Sequence, residues 1–227
     1  MRRLNGATVP SICAIQNVSF RLLDGDRLGL VGRNGAGKSS LLRVLAGLAH
    51  PNQGTYHYHG RVVPLIEKGL GINPELSAAD NVELPLRLLG ASSNEIDQAR
   101  DGIREFSELG EFFDLPVRRY SEGMKARLSF ALSTSLVSDV LILDEWLSAG
   151  DRAFVQKAEK RLVDFLEQIG VVVLASHDLE LLRNVCNKVL WLEKGETRMM
   201  GDADEVINAY IMSQDRGASS SAEDQAA

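Results

Sequence analysis

Positive charge is in short supply in this chain. Its 227 residues carry 25 Lys and Arg against 31 Asp and Glu, a formal net charge of −6. Nucleic-acid binding asks for a basic face, so a nucleic-acid partner is not expected. Cysteine is scarcer. Cys13 and Cys186 are the only two, far apart and in apolar contexts. That excludes a disulfide framework and a thiolate metal site, and leaves buried free thiols in a reducing compartment as the expectation. No apolar run is long enough to span a bilayer. The opening MRRLNGATVP has basic residues but no apolar stretch behind them, unlike a signal peptide. The chain is therefore expected in the cytoplasm, meeting a membrane only through a partner. Histidine is sparse too. His50, His57 and His59 cluster, yet no Cys or carboxylate stands at ligand spacing, and strand alternation puts His57 and His59 on one solvated face.

What is present is ordinary for a globular protein: 44% hydrophobic and 25% charged residues, in a length that suits one large domain or two small ones. DGDRLGLVG reads as a turn and a buried strand ending at Val31. Leu41, Leu42, Leu45 and Leu48 then recur at helical spacing. GTYHYHG and RVVPLI read as short strands. An α-helical subdomain richer in charge is expected at about 70–135, inserted into the main domain. VLILDE and VVVLAS are continuous apolar runs, the pattern of parallel strands buried on both faces. Between them RAFVQKAEKRLVDFLEQIG reads as an amphipathic helix. NKVLWLEKGE follows as a strand and turn, and DADEVINAYIMS as a final helix. Strands alternating with helices predict an α/β fold with a mostly parallel sheet. The domain is expected to span 1–212. The small, polar residues 213–227 read as a disordered tail.

Two stretches carry chemistry. Residues 32–39 fit G-x-x-x-x-G-K-[ST], with Gly32, Gly37, Lys38 and Ser39 at the fixed positions. In this pattern the glycines, with Asn34, Gly35 and Ala36 between them, let backbone N–H groups turn inward onto phosphate oxygens. The N-terminus of the following helix, with Ser40, adds to that cradle. Lys38 reaches the β- and γ-phosphates, and the Ser39 hydroxyl ligates Mg²⁺. The second stretch is VLILDE, a buried strand ending in two carboxylates. Asp144 is placed to hold Mg²⁺, and Glu145 to polarise an attacking water as general base. Together they predict an enzyme that binds ATP and Mg²⁺ and hydrolyses the nucleotide.

Three further stretches make the pattern specific. YSEGMKARLSFAL at 120–132 resembles the signature motif of ABC-transporter ATPases, LSAGD at 147–151 their D-loop, and LASHD at 174–178 their switch-histidine motif. Order and spacing resemble an ABC nucleotide-binding domain from the phosphate loop to about residue 200. Within that family, VVPLIEKGLGINPELSAADNV and YSEGMKARLSFALS resemble the ATPase subunits that export O-antigen, capsule or teichoic-acid chains.

The resemblance implies a P-loop NTPase core with an antiparallel β portion and an inserted helical subdomain. It implies a homodimer that sandwiches ATP, with Ser121 and Gly123 of one subunit meeting the γ-phosphate held by the other. His177 would hold the γ-phosphate and Asp151 would link the two sites. Glu67, where most members carry the Q-loop glutamine, would transmit closure to a separate integral membrane subunit. The chain would then sit peripherally on the cytoplasmic face of the inner membrane. Two further departures stand out. Glu122 occupies a signature position where Gly or Ser is usual; it is expected to turn away from phosphate, toward Lys125 or Arg127. No aromatic that could stack on adenine precedes Phe20, which itself falls in an expected strand. The alternatives are another transporter class, importer or exporter, an ABC ATPase without a membrane partner, or a degenerate cassette that only binds ATP.

Overall fold

The computed structural model describes residues 2–4, 7–9, 13–65, 72–144 and 152–223. In chain order the elements are β1 (Arg2–Leu4), β2 (Ala7–Val9), β3 (Arg27–Val31), α1 (Lys38–Leu45), β4 (Val62–Leu65), α2 (Ala78–Asn81), α3 (Glu83–Leu88), α4 (Ser93–Ser107), α5 (Glu122–Ser133), β5 (Val140–Asp144), α6 (Arg152–Leu166), β6 (Val171–Ala175), α7 (Leu179–Val185), β7 (Lys188–Glu193), β8 (Glu196–Asp202) and α8 (Ala203–Glu223). Two compact units form: residues 1–22, 26–50 and 174–227 make the first, and 23–25 with 51–173 the second.

In the first unit β3 pairs in parallel with β7, Leu28 opposite Lys188 through Val31 opposite Trp191. β7 turns through Lys194 and Gly195, both at positive φ, and pairs antiparallel with β8. β3 reads RLGLV with only its first residue short of full burial, as a strand covered on both faces should. α8 lays Ala203, Val206 and Ile207 into the core, at helical spacing. Arg183 of α7 pairs with Asp204 and donates to Asn208 Oδ1 at 2.6 Å, fixing the first turns of α8.

In the second unit the strand order is β4-β5-β6, with Val62 opposite Val140 through Leu65 opposite Leu143 in parallel. Helices α2–α6 bury a core of their own around Ile103, Phe113, Leu128 and Leu132. Its densest part is aromatic. Phe106 stacks on Phe130 at 5.5 Å between ring centroids and meets the edge of Phe154 at 5.6 Å. The Arg161 guanidinium lies 4.2 Å over Phe106 and donates to Thr134 Oγ1 at 2.8 Å, so a half-buried cation keeps a π-face and an oxygen in place of water.

Several sequence expectations give way here. Residues 55–59 form no strand. Gly54 and Gly60 bracket them at positive φ, and His57, Tyr58 and His59 are exposed, so there is no apolar face to bury. Tyr56 and Tyr58 stack on each other instead, 6.0 Å apart. Phe20 lies half-buried in a stretch without regular structure. Cys13 is exposed, while Cys186 is buried; its thiol is pushed up to about 12 by burial. The last helix does not stop near 212. It continues to Glu223; the added stretch has no proline to stop it, although Gly217 and its serines favour helix only weakly. Among the described residues, no helix is long and apolar enough to cross a membrane, and no three His, Cys, Asp or Glu gather as metal ligands.

Candidate functional site

β3 delivers the chain to Gly32 at its carboxyl end, and the geometry there explains the residues. A Cβ on Gly32 would lie 2.4 Å from the Leu192 carbonyl oxygen, and one on Gly37 2.6 Å from that of Ala14. Both residues also hold positive φ, 152° and 106°. Any side chain at either place would push the loop off its supports. Ala36 N–H donates to Arg33 O at 3.0 Å and closes the turn. Gly195 N–H donates to Ala36 O at 3.0 Å, and Gln16 N–H to Gly195 O at 2.8 Å. The loop is thus braced by the β7–β8 turn and by residues 14–16.

Gly35 turns at φ 78° beside exposed Asn34. Lys38 is 9% exposed. Its Nζ donates to Gly32 O at 2.7 Å and, more weakly, to Arg33 O at 3.4 Å, so the cation is held over the concave side of the loop. Gly37 is the N-cap of α1 and offers no side-chain oxygen to its first turn. A curled loop, a tethered cation and a helix N-terminus without a side-chain cap fit a polyphosphate. Ser39 is exposed and Ser40 half-buried at the start of α1. The Ser39 hydroxyl and a carboxylate are the oxygen donors Mg²⁺ prefers.

His177 belongs to the same unit, two residues past the end of β6. It is exposed and sits between Ser176 and Asp178. Ser176 Oγ accepts from Asp178 N–H at 3.0 Å, and Asp178 Oδ1 in turn caps α7 through Glu180 and Leu181 N–H, both at 3.0 Å. The backbone on either side of the imidazole is therefore pinned.

The second unit holds Asp144, half-buried as the last residue of β5. It also holds Ser121 and Gly123 at the start of α5. Ser121 is the N-cap, accepting from Met124 N–H at 3.2 Å. A hydroxyl that accepts this bond keeps its own proton to donate. Around Gly123 the closest atom to an added Cβ would be Ser121 Oγ, at 3.9 Å. Glu122 turns outward, 2.8 Å from Lys125 Nζ, which holds its carboxyl below the usual carboxylate range. Arg127 lies instead over the Phe154 ring at 5.0 Å, with Glu108 at 3.7 Å. Glu67, Glu145 and Asp151 lie outside the described residues.

One positioning residue escaped the sequence reading. Asn81 is 2% exposed. Its Nδ2 donates to the carbonyls of Asn73 at 2.9 Å, Leu76 at 3.2 Å and Ser77 at 2.7 Å, and its Oδ1 accepts from Asn73 N–H at 2.7 Å. One amide side chain thus ties the 73–77 loop together. Asn81 stands near the end of the VVPLIEKGLGINPELSAADNV stretch, but nothing in the sequence alone assigns it these four bonds.

Comparison with known proteins agrees with this geometry. The family described as ABC transporter matches residues 15–148. The chain is 40% identical over 197 residues to the O-antigen export system ATP-binding protein RfbB of Klebsiella pneumoniae, covering 87% of this chain and 80% of that one. It is 39% identical to the teichoic acids export ATP-binding protein TagH of Lactococcus lactis, covering 87% of this chain and 42% of that one. Among solved structures, an ATP-binding subunit of an ABC transporter superposes with a TM-score of 0.73 at 21% identity, over 87% of each chain. A dimeric bacterial ABC transporter cassette does so at 0.68 and 22%, over 85% of this chain and 91% of that one. The chain belongs to the ABC transporter family.

Proposed function

We propose that this chain is the ATP-binding and ATP-hydrolysing subunit that powers export of a polysaccharide or lipid-linked glycan through a separate membrane subunit. The observation that carries the reading is the loop at 32–39. Gly32 and Gly37 sit where no side chain fits, and Lys38 is held over the cradle. RfbB and TagH, both named as export ATP-binding proteins, supply the class of cargo.

In this reading the loop N–H groups and Lys38 bind the β- and γ-phosphates, and Lys38 exchanges its bond to Gly32 O for phosphate oxygens. Ser39 and Asp144 would hold Mg²⁺, which when bound shields the phosphate charge during γ-phosphoryl transfer. Glu145 orients the attacking water and draws its proton. His177 donates to the γ-phosphate. Ser121 and Gly123 close over the same group from a second copy, the Ser121 hydroxyl donating while its oxygen caps α5. Asp151 and Glu67 carry the closure across the pair and toward the membrane partner. The chain works on the cytoplasmic face, held there by that partner.

Replacing Lys38 tests this directly. Loss of a charged hydrogen bond of about 1.5–3 kcal/mol weakens ATP binding roughly tenfold to a hundredfold. In cells that depend on this chain for surface polysaccharide, the wild type restores export and Lys38→Ala does not. Restoration by a folded Lys38→Ala chain would overturn the proposal.

A further inference from the structure

The strand-to-loop junction of the phosphate cradle has a support in α8, which packs on β7 and also touches β3. Val31, the last residue of β3, stands opposite Trp191 in the β3–β7 ladder. The next residue on β7, Leu192, presents the carbonyl that forbids a side chain on Gly32. The β7–β8 register shifts between these same two residues, Trp191 and Leu192. The ladder is irregular there, and side-chain packing has more to fix.

That packing comes from α8. Tyr210 continues the buried face set by Ala203, Val206 and Ile207 and meets Trp191 edge to face, 5.5 Å between centroids at 77°. It is half-buried. Burial raises its phenol above the ordinary value, and the positive charge of Arg33, the loop residue after Gly32, opposes that rise. Tyr210 therefore lies within electrostatic reach of the loop, while its ring rests on the residue paired with the last residue before it.

We propose that Tyr210 is a positioning residue for nucleotide binding: its ring, seated on Trp191, fixes the β7 backbone against which Gly32 turns, and so holds the phosphate loop in its binding shape. Tyr210 touches no phosphate. It acts through Trp191 and Leu192, and the phenol oxygen is dispensable. This rests on the loop being the ATP site, as proposed above.

The test compares purified full-length wild type, Tyr210→Ala, Tyr210→Phe and Met212→Ala. Met212 sits two residues on, on the exposed side of the same helix. ATP affinity is measured by titration with Mg-ATP, with KM and kcat from steady-state hydrolysis. Wild-type binding and turnover check the assignment of the site itself, separately from Tyr210. Tyr210→Ala should weaken ATP binding and raise KM on the order of three- to tenfold, with kcat within about twofold. That is the signature of lost uniform binding. Tyr210→Phe and Met212→Ala should match wild type. Hydrogen exchange of the amides at 32–37 should quicken in Tyr210→Ala alone. If Tyr210→Ala folds poorly, Tyr210→Leu keeps the apolar contact without the ring and should show the same rise in KM. Wild-type ATP affinity and exchange in a folded Tyr210→Ala or Tyr210→Leu chain would overturn the proposal. So would a Tyr210→Phe chain as weak as Tyr210→Ala.

Discussion

Gly123 is a glycine that its own chain does not require. No atom outside its neighbours approaches an added Cβ closer than 3.9 Å, and its φ is not among the positive ones. Gly32 and Gly37 are the opposite case, walled by carbonyls at 2.4 and 2.6 Å. Gly123→Ala should therefore leave the fold intact and gain about 0.5–1 kcal/mol from helix propensity in α5. If a second copy presents phosphate there, the same methyl group blocks the approach, and hydrolysis falls at least about tenfold. Thermal melting and steady-state ATPase assays check the two halves. Undiminished turnover would remove Gly123 from the site. The outward Glu122, paired with Lys125, shows how the departure at the neighbouring position is accommodated: its charge is spent locally, on its own helix.

Helix α4 shows how an element is held at its start. Ser92 Oγ accepts from Glu95 N–H, and Glu95 returns a bond to Ser92 N–H at 2.7 Å, a reciprocal capping box. Arg61 adds an ion pair to Glu95 at 3.0 Å and spans to Gly90 O at 3.1 Å. These bonds, Arg61 first, lower the Glu95 pKa from 4.5 to about 2. A depressed carboxyl contributes stability that is fully present above its unfolded value and is lost as pH falls through the folded one. Wild type should therefore melt above Glu95→Gln at pH 6, with the gap closing between about pH 4.5 and pH 2. Calorimetry across that window checks it; a gap that persists at pH 2 would assign the effect to packing.

Elements of this kind were unevenly legible. β3, β5 and β6 announced themselves as uninterrupted apolar runs, and the phosphate loop as a contiguous motif whose constraints are local. β8 did not, because ETRMMGD has no buried face of its own and exists through its antiparallel partner. The 55–59 segment looked like a strand by alternation, yet nothing covers it. Asn81 and Tyr210 were invisible because their roles depend on partners set by the fold: four bonds to a loop in one case, a ring on β7 in the other.

Across the whole molecule, the cassette is one half of a machine in the reading proposed here. In that reading a second copy brings its Ser121 and Gly123 to each nucleotide. Glu145→Gln keeps the shape of its side chain and removes the base. With Mg-ATP it should accumulate as a dimer of about twice the monomer mass, while the wild type cycles back to monomer. Light scattering reads the mass and phosphate release the turnover. Wild-type turnover in Glu145→Gln would dismiss Glu145 as the base.

The brace from Gln16 through Gly195 to Ala36 also says where this chain can be cut. The segment at 14–16 is a tie-rod: short, without helix or strand of its own, yet joined to a turn some 180 residues away. A chain begun at residue 13 keeps the rod and should bind ATP as the whole protein does. One begun at residue 18 loses it, removing the carbonyl of Ala14 from beside Gly37. It should still fold its helical core, which lies wholly in the other unit, and bind ATP at least several-fold more weakly. A nucleotide titration on the two shortened chains separates a strut from a dispensable leader.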